Sequence, residues 1–185
     1  MGKNEVIMIL YCDIHTKKME DSDEWKKCVE YLYVKWIHEK NNRSLFLKVA
    51  VNSWYTLTLD GVEIELCQKD ADSLMQILNQ TYLLFQKLFF KDETCEWIFG
   101  YMMLVRADLF LNLDSDYIEI EKKGIALLKK ACEKENVFAK LIYAIEFSSQ
   151  KEVKKYRNEV ISCIDKYFDA KQKVDSYFIE MLTCS

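Results

Sequence analysis

The chain predicts an all-α fold, antiparallel helix pairs stacked as a short, degenerate α-solenoid, and three observations carry that prediction. It has no Pro and only four Gly (Gly2, Gly61, Gly100 and Gly124), so helix breakers and tight-turn residues are almost absent. Apolar residues recur at i, i+3, i+4 and i+7 through most of its 185 residues. Short polar connectors separate these segments, and a β-sandwich or barrel would need turn chemistry every ~8–12 residues. Half the residues are hydrophobic and 30% are charged, which suits one packed helical domain spanning residues 1–185.

Residues 4–19 begin with Ile7, Leu10, Tyr11 and Ile14 at helical spacing, and are read as a helix, with a short buried strand over VIMILYC as the alternative. DSDEWKKCVEYLYVKWIHEK supplies Ser22 or Asp23 as an N-cap and an apolar stripe from Trp25 to Ile37, giving a helix from about 24 to 39. SLFLKVAVNSWYTLTL has strand-forming residues, and Asp60-Gly61 is also a hairpin signal. Leu45, Val49, Asn52, Ser53 and Thr56 nevertheless fall at helical spacing, so helix over 43–58 with Gly61 as its stop is preferred. DADSLMQILNQTYLLFQKLFF reads as an amphipathic helix, and TCEWIFGYMMLVRADLFLNL, apolar nearly all round, as one buried helix ended by DSDY. Helices follow over Glu119–Cys132, VFAKLIYAIEF and VKKYRNEVISCIDKYF, and VDSYFIEML is expected to be a frayed last helix.

Three of the connectors, EKNNR, FFKDE and CEKEN, precede SLFLKVAV, TCEWIFGYMM and VFAKLIYA, so helix pairs repeat at roughly 40–50 residues. EKKGIALLKKACEKENVFAKLIYAIEF resembles the Sel-like branch of tetratricopeptide-type repeats through Ala126, Leu128, Lys130, Ala131, Asn136, Ala139, Leu141 and Tyr143. WIFGYMMLVRADLF resembles the second helix of a preceding unit, with Gly100 at its small-residue position, so the best-preserved unit spans about 97–147. The turn departs from the family pattern, with Glu135 where a Gly usually stands before the Asn. The resemblance implies a protein-binding scaffold rather than a catalyst. In general style, without a motif, the chain also resembles the immunity proteins of contact-dependent growth inhibition and related polymorphic toxin systems.

Net charge is −4, but from Asp60 to Glu121 thirteen acids face four bases, leaving the rest of the chain at +5. An acidic middle repels phosphate backbones and steers a basic protein toward it. Trp54 and Tyr55, followed by Asp60, Glu63 and Glu65, are read as an exposed aromatic anchor ringed by acids, and Asp114, Asp116, Tyr117 and Glu119 as a second part of the partner-binding surface. The expected function is that of an inhibitor, an immunity protein covering a basic nuclease-type toxin. A helical-repeat adaptor holding a peptide or protein is the alternative.

No catalytic residue, metal site or cofactor is expected. The chain has only two histidines, and although Cys12, His15 and Cys28 could be imagined as a thiol or metal site, a free Cys is commonly a small core residue. Asp114 and Asp116 form a D-x-D pair outside any apolar setting that would shift their acidity, and no glycine-rich phosphate loop is present. Seven dispersed cysteines without a C-x-x-C pair, no signal-like segment and no long apolar run suggest a cytoplasmic protein that binds neither membrane nor nucleic acid.

Overall fold

The computed structural model describes residues 8–113 and 116–184, all helices and connecting turns save an isolated bridge between Asp60 and Ile64. The helices are α1 (Ile14–Asp21), α2 (Trp25–His38), α3 (Arg43–Leu59), α4 (Gln68–Leu84), α5 (Glu93–Val105), α6 (Tyr117–Glu133), α7 (Val137–Phe147), α8 (Gln150–Ile161) and α9 (Lys173–Thr183). Neighbours in sequence pack as antiparallel pairs: Trp25 meets Tyr55 and Trp36 meets Phe46 between α2 and α3. The polar connectors have a common chemical ending. Asn42, Asp92 and Asn136 each N-cap the following helix, accepting from the backbone N–H of Leu45, Cys95 and Ala139 at 3.1, 3.0 and 3.0 Å.

α3, α5 and α7 form one layer and run parallel: Arg43 pairs with Asp92 at the starts of α3 and α5 while Trp54 meets Tyr101 further along, and Trp97 meets Phe138 near the starts of α5 and α7 while Val105 and Ile145 line one cavity near their ends. α2, α4, α6 and α8 pair with them from outside. The α5–α6 contact is set by two glycines. A Cβ on Gly100 would stand 2.9 Å from the Gly124 carbonyl oxygen, and one on Gly124 would stand 2.9 Å from that of Gly100. The two backbones therefore meet where no side chain intervenes.

α9 is not frayed. Val174, Phe178 and Leu182 are completely buried, and Phe178 packs on Trp97, Tyr101 and Phe168. The helix touches α1, α3, α7 and α8, and its Tyr177 meets Trp54, Tyr55 and Tyr101. The layer of α3, α5 and α7 is thus covered by α9 together with Tyr167 and Phe168 before it, which bury its apolar aromatic surface.

Four local expectations are corrected, one of them the helix expected through VKKYRNEVISCIDKYF, which ends at Ile161 and is followed only by a 3-10 turn, Ile164–Lys166. Residues 8–13 are neither helix nor strand: the Ile9 and Tyr11 N–H groups donate to Tyr167 and Ser44 carbonyls at 2.9 and 3.1 Å, and Asp13 starts α1 as its N-cap. The single helix expected over 94–113 breaks at Arg106, whose guanidinium pairs with Asp108 at 2.7 and 2.9 Å, and continues as a 3-10 helix, Ala107–Leu113. α4 passes into a π-helical turn, Phe85–Phe89, that puts Phe85 on Phe99 and Phe89 on Phe46, each at 4.8 Å. At 43–59 the helical reading holds, and Asp60-Gly61 ends α3, with Gly61 at φ 75° and its N–H donating to the Ile64 carbonyl.

The core also contains charge. Lys48 of α3 is fully buried, its ammonium 2.8 Å from Glu20 of α1 and 3.5 Å from Asp175 of α9, all at 1% exposure or less. Asn52, one turn along α3, donates to Glu20 at 3.0 Å, and Asp175 accepts from the Asp169 N–H at 2.9 Å. Burial pushes the Asp175 carboxyl up to about 6, against the opposing pull of Lys48.

Two measurements follow. Gly100→Ala is expected to lose about 1–3 kcal/mol in urea unfolding through overpacking, although alanine is the better helix former by ~1 kcal/mol, and Gly100→Val should lose more. Because the folded-state acidity of Asp175 is weakened, its contribution is complete below pH ~4 and is lost as pH rises through about 6. Stability should therefore fall by roughly 2–3 kcal/mol between pH 4.5 and 7.5 relative to Asp175→Asn, which lacks this titration.

Candidate protein-binding surface

Because α3, α5 and α7 are parallel, their C-termini gather at one end of the molecule, where α4 and α6 begin, and Met181 and Cys184 bring the end of α9 beside those of α5 and α7. None of these four helices has a basic residue in its own last turn, and the bases near their ends are Arg106, which follows α5 and pairs with Asp108, and Arg157 of α8. The helices that start there carry acids in their first turns, Asp70 on α4 and Glu119 on α6. The acidic part of this end lies around the α3–α4 loop, with Asp60, Glu63 and Glu65, whereas Arg157 of α8 stands beside the ends of α5, α7 and α9.

The residues singled out in the sequence take different places here. Trp54 is a correction: it is fully buried, packed against Tyr101 and Tyr177 at 5.7 and 5.9 Å, and cannot serve as an exposed anchor. Tyr55 is half-buried between Trp25 and Tyr177, and burial, then Glu63, push its hydroxyl up to about 12. α3 is enclosed on nearly all its faces, so Trp54, on the side away from Asn52, is buried as well, in the aromatic cluster with Tyr101 and Tyr177. Asp60 and Asp116 are structural: Asp60 accepts from the Leu66 N–H at 2.9 Å and shapes the loop, and Asp116 N-caps α6 through the Ile118 N–H at 3.1 Å.

Glu119 pairs with Lys122 at 2.8 Å on the exposed start of α6. Tyr117 is exposed beside it, its hydroxyl raised in pKa by the neighbouring charge of Glu121. Asp114 lies outside the described residues. Glu63 and Glu65 are exposed and, among the described residues, their carboxylates form neither hydrogen bond nor ion pair. They flank the tip of the α3–α4 loop, where Val62 is 81% exposed. The sequence reading passed over Val62 and over Ile118, exposed next to Tyr117. Their signal is an apolar residue between acids in a loop or at a helix start, with no helical partner three or four positions away.

The thiol and imidazole considered for chemistry are scattered in role. Cys12 accepts from the buried Gln172 amide, His15 sits against the Tyr31 ring, and Cys28 is buried beside Asn52, where burial raises its thiol to about 12. Among the described residues no three His, Cys, Asp or Glu side chains gather as a metal site, and no helix is long and apolar enough to cross a membrane. Asp13 is the most heavily solvated carboxylate by protein donors. Partial burial opposes its ionisation, but Thr16, Tyr31, Tyr11 and Lys35 hold it well below the usual carboxylate range. That cluster caps α1 and joins it to α2.

No protein-family model, curated protein or solved structure matches the chain.

The assignment of Trp54 to the core and of Glu63 and Glu65 to the free surface separates by mutation. Trp54→Ala should cost about 3–5 kcal/mol in chemical unfolding. Glu63→Lys with Glu65→Lys should shift stability by no more than about 0.5 kcal/mol.

Proposed function

We propose that the chain is a protein-binding inhibitor, an immunity protein that occludes a basic nuclease-type toxin with the end at which α3 and α5 finish. The observation that carries this reading is that exposed apolar residues stand beside acids: Val62 next to the unpaired carboxylates of Glu63 and Glu65, and Tyr117 and Ile118 beside Glu119, whose charge is shared with Lys122. Apolar contact at the centre with charge at the rim suits a desolvated protein interface, and the acids would speed encounter with a cationic surface. Inhibition on this reading is steric and electrostatic, without chemistry.

The likeness of residues 97–147 to Sel-like repeats belongs to the same proposal. Gly100 and Gly124 act as the small residues of close helix packing, and Asn136 as the cap of the second helix. Glu135 takes the left-handed conformation, φ 65°, that the family's glycine would adopt. A peptide-holding adaptor would offer the odd-helix layer, and α9 already covers that layer. The loop end is left as the surface for a partner.

The test uses affinity capture from cells that make the protein, followed by co-expression with the captured partner. The expected result is a basic partner whose toxicity the chain relieves. Binding should weaken at least ~10-fold, with a shallower salt dependence, in a Glu63→Lys, Glu65→Lys, Glu119→Lys variant. Undiminished binding by that variant would place the interface elsewhere.

A further inference from the structure

A cavity of about 300 Å³ opens between the C-terminal halves of α5, α7 and α9 and the middle of α8. Its walls are apolar: Tyr101, Leu104 and Val105 from α5, Ile142 and Ile145 from α7, and Met181 from α9. The Tyr101 hydroxyl is tied to that of Tyr177, so the ring is held as part of the wall. On α8 the wall ends at Arg157.

Arg157 is unusual in this molecule. Its Nε–H is shut off from solvent and has no acceptor, and among the described residues the side chain makes no hydrogen bond or ion pair. The one carboxylate on the rim, Glu146, is exposed and does not pair with it. A guanidinium hydrogen that has lost water without gaining an acceptor is costly, and a ligand that brings the acceptor removes the cost. Lys154 lies with Arg157 along the adjoining surface cavity of about 380 Å³, so the charge at this rim is positive.

We infer that this pocket is a binding site for a small apolar monocarboxylate, its hydrocarbon body between Leu104, Ile142, Ile145 and Met181 and its carboxylate on Arg157. A planar carboxylate matches the fork of a guanidinium, and a single negative charge sheds water into an apolar pocket more readily than a phosphate dianion. The volume lies at the small end of ligand pockets, which limits the occupant to about a dozen non-hydrogen atoms. The site is separate from the Glu63 loop and does not depend on what that loop binds.

Octanoate and 1-octanol, titrated into the full-length protein and followed by methyl NMR, provide the test. Octanoate should bind saturably at one site with shifts centred on Ile142, Ile145 and Met181, and roughly tenfold or more tighter than octanol. Arg157→Gln, with an unchanged thermal melt, should erase that preference while leaving octanol binding as it was. Ile145→Trp, which fills the mouth from a half-exposed position, should weaken both. Equal affinity for acid and alcohol, insensitivity of octanoate to Arg157→Gln, or no saturable binding up to several millimolar would overturn the assignment.

Discussion

The buried ammonium of Lys48 constrains everything around it. An ion pair in a core is weak support for stability, since desolvating the charges costs several kcal/mol that their attraction only partly offsets. What it fixes is arrangement. Glu20 arrives from α1, Asp175 from α9 and Asn52 from the next turn of α3, so the first and last helices are held in one register against the middle of the chain. If α9 slid by one turn, Lys48 would face apolar side chains with a single carboxylate, and Asp175 would be stranded elsewhere in the core.

The helices that were legible in the sequence are those whose environment is local. α2, α4, α6 and α7 carry one apolar stripe each, and the Asx residue ending each of three connectors marks where the next helix starts. Illegible were the features that depend on distant partners. Residues 8–13 show helical spacing, but their backbone bonds go to Ser44 and Tyr167. α9 is short and polar-looking at its start, and its value lies in an aromatic surface assembled from α3 and α5. Lys48 had a signal, as the one charged residue between Ser44 and Leu59 with Asn52 one turn on. Its partners, far away in the chain, leave no trace of periodicity.

The placement of Trp54 bears on function as well as fold. An aromatic residue followed by acids has the composition of an interface anchor, yet α3 is covered on nearly every side, and Trp54, opposite Lys48 and Asn52 on that helix, is buried as they are. On the proposed reading the surface left for a partner is made of loop and helix-start residues held by Asp60 and Asp116, whose own carboxylates are spent on backbone N–H groups. Those two acids position the surface, and Glu63 and Glu65 supply its free charge. A rigid scaffold presenting short, well-capped loops gives up little conformational entropy on association.

α9 also changes how such a chain can acquire its structure. Helical repeats ordinarily fold from neighbour to neighbour, each unit rewarded as soon as the next one forms. Here the layer formed by α3, α5 and α7 keeps an aromatic face open, and Lys48 lacks one of its two carboxylates, until α9 has been synthesised and docked. A locally wired architecture thereby acquires long-range closure, which makes the final step slow relative to helix pairing and leaves the nascent chain sticky while it waits.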